Sequence, residues 1–252
     1  GKTMSELISI VMPNYNGKRY LKQSIESVRK QTYTNWELLV VDDCSKDGSE
    51  KIAAAYEKED KRIRLIRSPK NQGVALTRNL GIQEAKGEYI ALLDNDDTWE
   101  PEKLRMQLEL LRKTRAEIGY CSYDFIDEMG KEIKRPFLVP EFTNFNKMLV
   151  SSVISCSTAM IRSDVLKAHP FDPTYYHEDF VLWMELLKVP YRAVGNREVL
   201  AHYRQIQGSR SNNKKNAALE RWKVYRNQLH LSWGKSAVAF VRYAVKAVWK
   251  YR

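Results

Sequence analysis

The chain has 252 residues, 43% of them hydrophobic, enough to bury one large core or a core with an appendage. Its three cysteines, Cys44, Cys121 and Cys156, are odd in number and far apart, which argues against a disulfide framework or a zinc site and for a reducing compartment. The net charge of +11 is uneven: residues 214–252 hold ten Lys/Arg against one acid, Glu220, while the preceding 213 residues are nearly neutral. No apolar run is long enough to span a bilayer, and the N-terminus reads without a signal peptide.

Leu7 to Met12 is a β-branched apolar run closed by Pro13, a first strand. Tyr20, Leu21, Ile25 and Val28 recur at helical spacing, predicting a helix over 18–31. Trp36 to Val41 reads as a second strand, followed by an acidic turn and a helix through Tyr56. Ile63 to Ile66 is a third strand, Val74 to Ala85 a helix, and Glu88 to Leu93 a fourth strand. Thr98 to Pro101 opens a further helix, with proline in its first turn. Four alternations of strand and helix imply βαβ crossovers and a largely parallel sheet. Beyond Leu111 the pattern loosens. Strands are expected over Ile118 to Tyr123, Val153 to Ile161, Tyr191 to Val194 and Glu198 to Tyr203, with turns across 125–150.

Between the first strand and helix stands Met-Pro-Asn-Tyr-Asn-Gly rather than a glycine-rich dinucleotide fingerprint. After the fourth strand, Asp94, Asp96 and Asp97 crowd together and repel unless a cation or solvent compensates them. An Asp-x-Asp at a strand end offers the hard oxygen ligands that Mg²⁺ or Mn²⁺ takes, leaving room for substrate phosphates. The plainer alternative is an acidic turn capping the next helix. The loops 13–17, 42–48, 71–73 and 94–97 all follow strands, so all open on one ligand crevice. There Tyr15 offers a flat face for a base, and an aspartate of the second loop can accept from a base N–H or a ribose hydroxyl. Packing for Tyr15 and helix capping for Asp42 and Asp43 remain the alternatives.

In this order Ile8-Ser9-Ile10-Val11-Met12-Pro13-Asn14-Tyr15-Asn16, Val41-Asp42-Asp43-Cys44-Ser45-Lys46-Asp47-Gly48-Ser49, Asn71-Gln72-Gly73 with Ala75-Leu76-Thr77-Arg78-Asn79, and Gly87-Glu88-Tyr89-Ile90 running into Asp94-Asn95-Asp96-Asp97 resemble the inverting family-two glycosyltransferases. The resemblance covers about residues 7–205 and implies the GT-A fold, an α/β doubly wound, mostly parallel sheet, here with C-terminal helices. It implies that Pro13, Tyr15 and Asp43 contact the nucleoside with Asp42 close by, and that Arg78 lies near the diphosphate. It further implies that Asp94 meets ribose or metal-bound water and that Asp96 ligates Mn²⁺ or Mg²⁺. His177-Glu178-Asp179 precedes an apolar helix, where acids commonly serve only as caps. By the resemblance, Asp179 is the catalytic base. Where family members carry a histidine after a Tyr-Arg pair, this chain has Ile206, leaving open whether 203–211 acts as a lid or supplies a metal ligand.

The expected organisation is a transferase domain over 5–213, with a nucleotide and metal half (5–115) and an acceptor half (116–213), and a basic amphipathic tail over 214–252. In the tail, Leu219, Trp222, Tyr225, Leu229 and Trp233 recur at helical spacing. Gly234 is expected to end that helix, and Ser236 to Tyr251 to form a second. Its Lys235, Arg242, Lys246 and Lys250 share an arc of about 80°. That suits a membrane-interface helix inserting Phe240, Tyr243, Trp249 and Tyr251, or else a helix packed on the domain with a solvated basic face. The expectation is a cytoplasmic enzyme, peripheral on the inner face of the cytoplasmic membrane. It would move a sugar from a nucleotide-diphospho-sugar, a UDP-sugar first, to a lipid-linked acceptor of a bacterial surface polysaccharide. A nucleotide-sugar-binding protein without activity and a basic nucleic-acid binder are the rival readings, the second disfavoured because no nucleic-acid motif accompanies the charge.

Overall fold

The computed structural model describes residues 3–206 and 214–250. Strands β1 (Ile8–Asn14), β2 (Trp36–Asp42), β3 (Ile63–Arg67) and β4 (Tyr89–Leu92) run parallel in the order β3-β2-β1-β4. They are joined through helices α1 (Leu21–Arg29), α2 (Ser49–Glu59) and α3 (Val74–Glu84). Side chains alternate between the two faces of this sheet. Ile8, Ile10, Met12, Leu38 and Val40 pack with α1 and α2, whereas Val11, Leu39 and Val41 pack with α3. Both faces are covered, so these strands are apolar throughout. A Cβ on Gly81 would stand 2.6 Å from Val11 Cγ1, so glycine is what lets α3 press this closely on β1.

The second half comprises β5 (Thr98–Trp99), α4 (Lys103–Thr114), β6 (Ile118–Ile126), β7 (Glu132–Phe137), β8 (Phe142–Thr143), α5 (Phe145–Val150), β9 (Met160–Arg162), α6 (Ser163–Ala168), α7 (Glu178–Lys188) and β10 (Ala193–Arg204). Strand β9 lies antiparallel between β4 and β6, and β6 is parallel to β10. Strands β1 to β4, β6 and β10 therefore all point one way, and the loops leaving them share one edge.

The C-terminal segment forms α8 (Lys214–Lys223), a π turn over Val224–Gln228 and α9 (Trp233–Lys250). Val224, Tyr225, Leu229 and Ala239 join the same buried cluster as α3 and α7. Tyr225 is fully buried and its hydroxyl donates to the Leu149 carbonyl at 3.2 Å.

Several sequence expectations are corrected. Pro13 does not close β1 but sits within it opposite Val41, since pairing through its carbonyl side needs no N–H. Thr98 and Trp99 pair with β10 as a short strand, so the helix starts at Lys103, past Pro101. Of the expected Val153–Ile161 strand only Met160 and Ile161 are in a strand, which runs on to Arg162, because a 3-10 turn over Cys156–Thr158 interrupts the rest. The two strands expected near 191–203 are one, with register shifts between Asn196 and Ala201. The break between the tail helices falls before Trp233, where His230 takes a positive φ of 51°, and Gly234 lies inside α9. Phe240 and Tyr243 face inward, Phe240 against Trp222 and Tyr243 against Arg221, so neither is free to insert in a membrane. Tyr251 and most of the 203–211 segment lie outside the described residues.

Because Tyr225 fills the seam between tail and body, Tyr225→Ala should lower the unfolding free energy by about 3–5 kcal/mol. Urea denaturation measures it, and a loss below about 1 kcal/mol would mean that the tail is not part of the core.

Candidate active site

Asn14, at the end of β1, ties three loops together. Its Nδ2 donates to Asp42 Oδ1 and to Ser49 Oγ, both at 2.9 Å, and its Oδ1 accepts from Asn95 Nδ2 at 2.8 Å. Asp42 also accepts from the Ser45 amide at 3.0 Å and the Ser45 hydroxyl at 2.7 Å, which folds its own turn. Asp43 reaches the third loop instead: its two oxygens take the amides of Gln72 and Gly73, each at 2.9 Å. Pro13, Asp42 and Asp43 are buried, whereas Tyr15, in the loop after β1, is 50% exposed.

The acidic stretch after β4 divides by environment. Asp97 turns into the protein, 1% exposed, accepting from Ser157 Oγ at 2.5 Å and from the Arg204 amide at 3.0 Å. Burial, followed by the charges of Asp96 and Asp94, holds its pKa well above the usual carboxylate range. Asp94 and Asp96 stay half-exposed. Burial first, then the charge of Asp94, pushes the Asp96 carboxyl up to about 6. Arg204, 2% exposed, fastens this loop from behind: Nε donates to the Asp96 carbonyl at 2.8 Å, Nη1 to the Asp127 carbonyl at 3.0 Å and Nη2 to Gln23 at 2.8 Å. Ser157 Oγ in turn accepts the Asp94 amide at 3.1 Å.

Arg78 links this loop to the helix that bears Asp179. Its Nη2 donates to Asp94 Oδ1 at 2.9 Å and its Nη1 to Glu178 Oε1 at 3.2 Å. Burial opposes its charge, but the carboxylates of Asp94 and Glu178 outweigh that and raise its pKa. Cys156, buried beneath, has its pKa raised by burial and then feels the charges of Arg78, Asp179, Asp94 and Glu178, so all four groups share one neighbourhood. Asp179 is half-exposed at the start of α7, one oxygen accepting the Phe180 amide at 2.8 Å.

The donor set suits a divalent cation. Asp94 and Asp96 offer hard carboxylate oxygens, are both partly exposed, and have as hydrogen-bond partners of those carboxylates Arg78 for Asp94 and the Asp96 backbone for Asp96. Among the described residues no cluster of three or more His, Cys, Asp or Glu closes a metal site alone. A metal there would share its shell with substrate phosphates, as Mg²⁺ commonly does.

The model of Glycosyl transferase family 2 matches residues 9–169. The chain belongs to that family. It is similar to the putative teichuronic acid biosynthesis glycosyltransferase TuaG of Bacillus subtilis, 35% identical over 97% of both chains. It is also similar to the UDP-Glc:alpha-D-GlcNAc-diphosphoundecaprenol beta-1,3-glucosyltransferase WfgD of Escherichia coli, 36% identical over 86% of this chain and 85% of the relative. Among solved structures, S. aureus TarS 1-349 in complex with UDP-GlcNAc superposes with a TM-score of 0.72 at 18% identity, covering 94% of this chain and 71% of that one. The mannosyltransferase PcManGT from Pyrobaculum calidifontis, solved with GDP-Man and Mn²⁺, gives 0.72 at 15% identity, covering 91% and 66%. These two likenesses show the GT-A fold.

This glycosyltransferase is therefore an enzyme, and the two rival readings of its sequence fall away. Sequence reasoning passed over Asn14, Ser157 and Arg204. Asn14 stood in a quoted motif between Pro13 and Tyr15, a signal that it too served the site. Arg204 belongs to the Tyr-Arg pair that the resemblance marks, but nothing in the sequence marks Ser157 or tells that the two residues' partners lie 60 and 107 positions away.

His202, on β10, sits between two carboxylates: Nδ1 meets Asp124 Oδ1 at 2.5 Å and Nε2 meets Glu100 Oε1 at 3.0 Å. Burial works against its protonation, but the hydrogen bonds and charges of Asp124 and Glu100 prevail and raise its pKa. A raised histidine stabilises the fold fully below its unfolded value of about 6.5 and loses that contribution as pH climbs through the folded value. The urea midpoint should thus fall as pH rises above about 6.5, and His202→Gln should flatten that part of the curve; an unchanged slope would remove the assignment.

Proposed function

We propose that this transferase moves a sugar from a UDP-sugar to a hydroxyl of a lipid-linked glycan in the making of a bacterial surface polysaccharide, inverting the anomeric centre. The observation that carries it is Arg78, which sets the Asp94–Asp96 turn and the Asp179 helix at one point of the crevice. The named substrates of the Escherichia coli relatives, UDP-Glc and an undecaprenol-linked acceptor, support the donor and acceptor classes.

In this reading residues 5–115 hold the donor and 116–213 the acceptor. Tyr15 stacks on the base, while Pro13, Asp42 and Asp43 shape the nucleoside cleft. Asp94 and Asp96 hold Mn²⁺ or Mg²⁺, which would neutralise charge on the departing diphosphate. Arg78 adds its charge from behind Asp94. Asp179 takes the proton of the acceptor hydroxyl as that oxygen attacks the anomeric carbon. The bond from that carbon to the diphosphate oxygen breaks, and the nucleoside diphosphate leaves. One displacement without a covalent intermediate inverts the configuration.

Calorimetry with UDP should show binding that needs Mn²⁺ or Mg²⁺ and disappears in chelator. Asp179→Asn should keep that binding while transfer falls by about two orders of magnitude or more. Binding indifferent to chelator sinks the metal assignment; near wild-type turnover in the variant sinks the base.

The tail supplies the membrane contact, at the inner face of the cytoplasmic membrane. No helix among the described residues is long and apolar enough to cross a membrane. In α9, however, Val238, Val241, Val245 and Val248 are all more than half exposed at spacings of three and four, and Trp249 is 75% exposed. Lys235, Arg242 and Lys246 are exposed beside that stripe, and no acid follows Glu220. Two copies meeting on this stripe would bring like charges together, whereas an anionic lipid surface satisfies both valines and cations. The chain should sediment with phosphatidylglycerol vesicles, release at high salt and ignore phosphatidylcholine ones. Val241→Asp with Val245→Asp should abolish sedimentation. If that variant pellets like the wild type, α9 is not the contact.

A further inference from the structure

The first turn of α7 is held at two neighbouring points. Glu178 is bonded by Arg78 at 3.2 Å. Phe180 carries the guanidinium of Arg221, from α8, with Cζ 3.5 Å from the ring centre. Asp179 stands between these two anchored residues. A base needs its carboxylate aimed, and fixing the residues on either side is a direct way to aim it.

Arg221 is an unusual residue to bury. It is 6% exposed, its Nε finds no acceptor, and among the described residues no carboxylate pairs with it. Its second face meets the Tyr243 ring of α9 at 4.6 Å. Two aromatic faces offset part of the lost hydration, but a leucine or methionine would pack here without that cost. The neighbouring contacts run to the same helix. Gln228 Nε2 donates to Glu185 Oε1 at 3.0 Å, and the Tyr175 hydroxyl donates to Gln228 Oε1. Residues 221–228 thus grip both α7 and the turn that leads into it.

We propose that Arg221 is a positioning residue for Asp179, so that the C-terminal helices form part of the reaction centre as well as its membrane contact. The proposal rests on Asp179 being the base.

The test compares Arg221→Met, Arg221→Lys and Phe180→Leu with the wild type, using UDP-glucose or UDP-GlcNAc, whichever the wild type turns over, and a short-chain GlcNAc-diphosphate lipid. Titration with UDP and Mn²⁺ counts competent sites, which corrects kcat for any unfolded fraction. Arg221→Met should lower kcat per competent site by about tenfold or more, hold KM for the donor within about twofold, and displace the acid limb of the kcat–pH profile. Arg221→Lys keeps the charge but not the plane and should fall between. Phe180→Leu, which removes the other half of the contact, should reproduce the effect if Arg221→Met does not fold. Variants with kcat per site within twofold of wild type and an unmoved pH profile overturn the proposal. A wild type no more active than Asp179→Asn overturns the base reading, and this proposal with it.

Discussion

One buried guanidinium joins the two halves of the molecule. Arg78 leaves α3, and its two terminal nitrogens go to Asp94 in the turn after β4 and to Glu178 in the first turn of α7. An ion pair out of water recovers its desolvation cost only with good geometry on both partners, and removing one partner strands the rest. The consequence is mutual dependence: the acidic turn after β4 and the first turn of α7 cannot shift separately without stranding a buried charge. Gly81, one turn further along α3, lets that helix sit close enough on β1 and β2 to present the arginine at the crevice.

The parallel half of the sheet was legible because its strands are apolar on both faces and its connections are short. Strand ends there differ by a residue or two and helix ends by up to three. Past β4 the sequence misled where tertiary pairing overrode local signals. Thr98 and Trp99 carry helix-start chemistry, yet pair with Ala201 and His202, about a hundred positions away. A local pattern cannot report such a partner. The motif residues lie at the ends of strands and in the loops that leave them, as their spacing implies, but the bonds that hold them do not follow from spacing. The crowded acids show this best: sequence presents Asp94, Asp96 and Asp97 alike, and only the fold turns Asp97 inward to Ser157 and Arg204.

The tail shows the limit of composition as a guide to organisation. A jump in charge at residue 214 suggests an appendage, yet Val224, Tyr225 and Leu229 lie in the common core. Lys223, Arg226, Lys235, Arg242 and Lys246 lie on the outward faces, and of the described tail cations Arg221 alone turns inward. Helical periodicity was readable there, but which face met the body was not, because valine suits a core and a lipid surface equally well.

Asn14 has one more consequence. By bonding Asp42, Ser49 and Asn95 it welds the loops after β1 and β2 to the acidic turn after β4 before any ligand arrives. A pocket wall assembled in advance does not have to be ordered by its ligand, so less of the donor's binding energy is lost to freezing loops. Such a wall is also a poor place to evolve a new preference, since altering one loop disturbs the others. Changes of sugar choice within chains built this way should therefore gather at side chains outside the weld, where a substitution alters the shape of the pocket without loosening its frame.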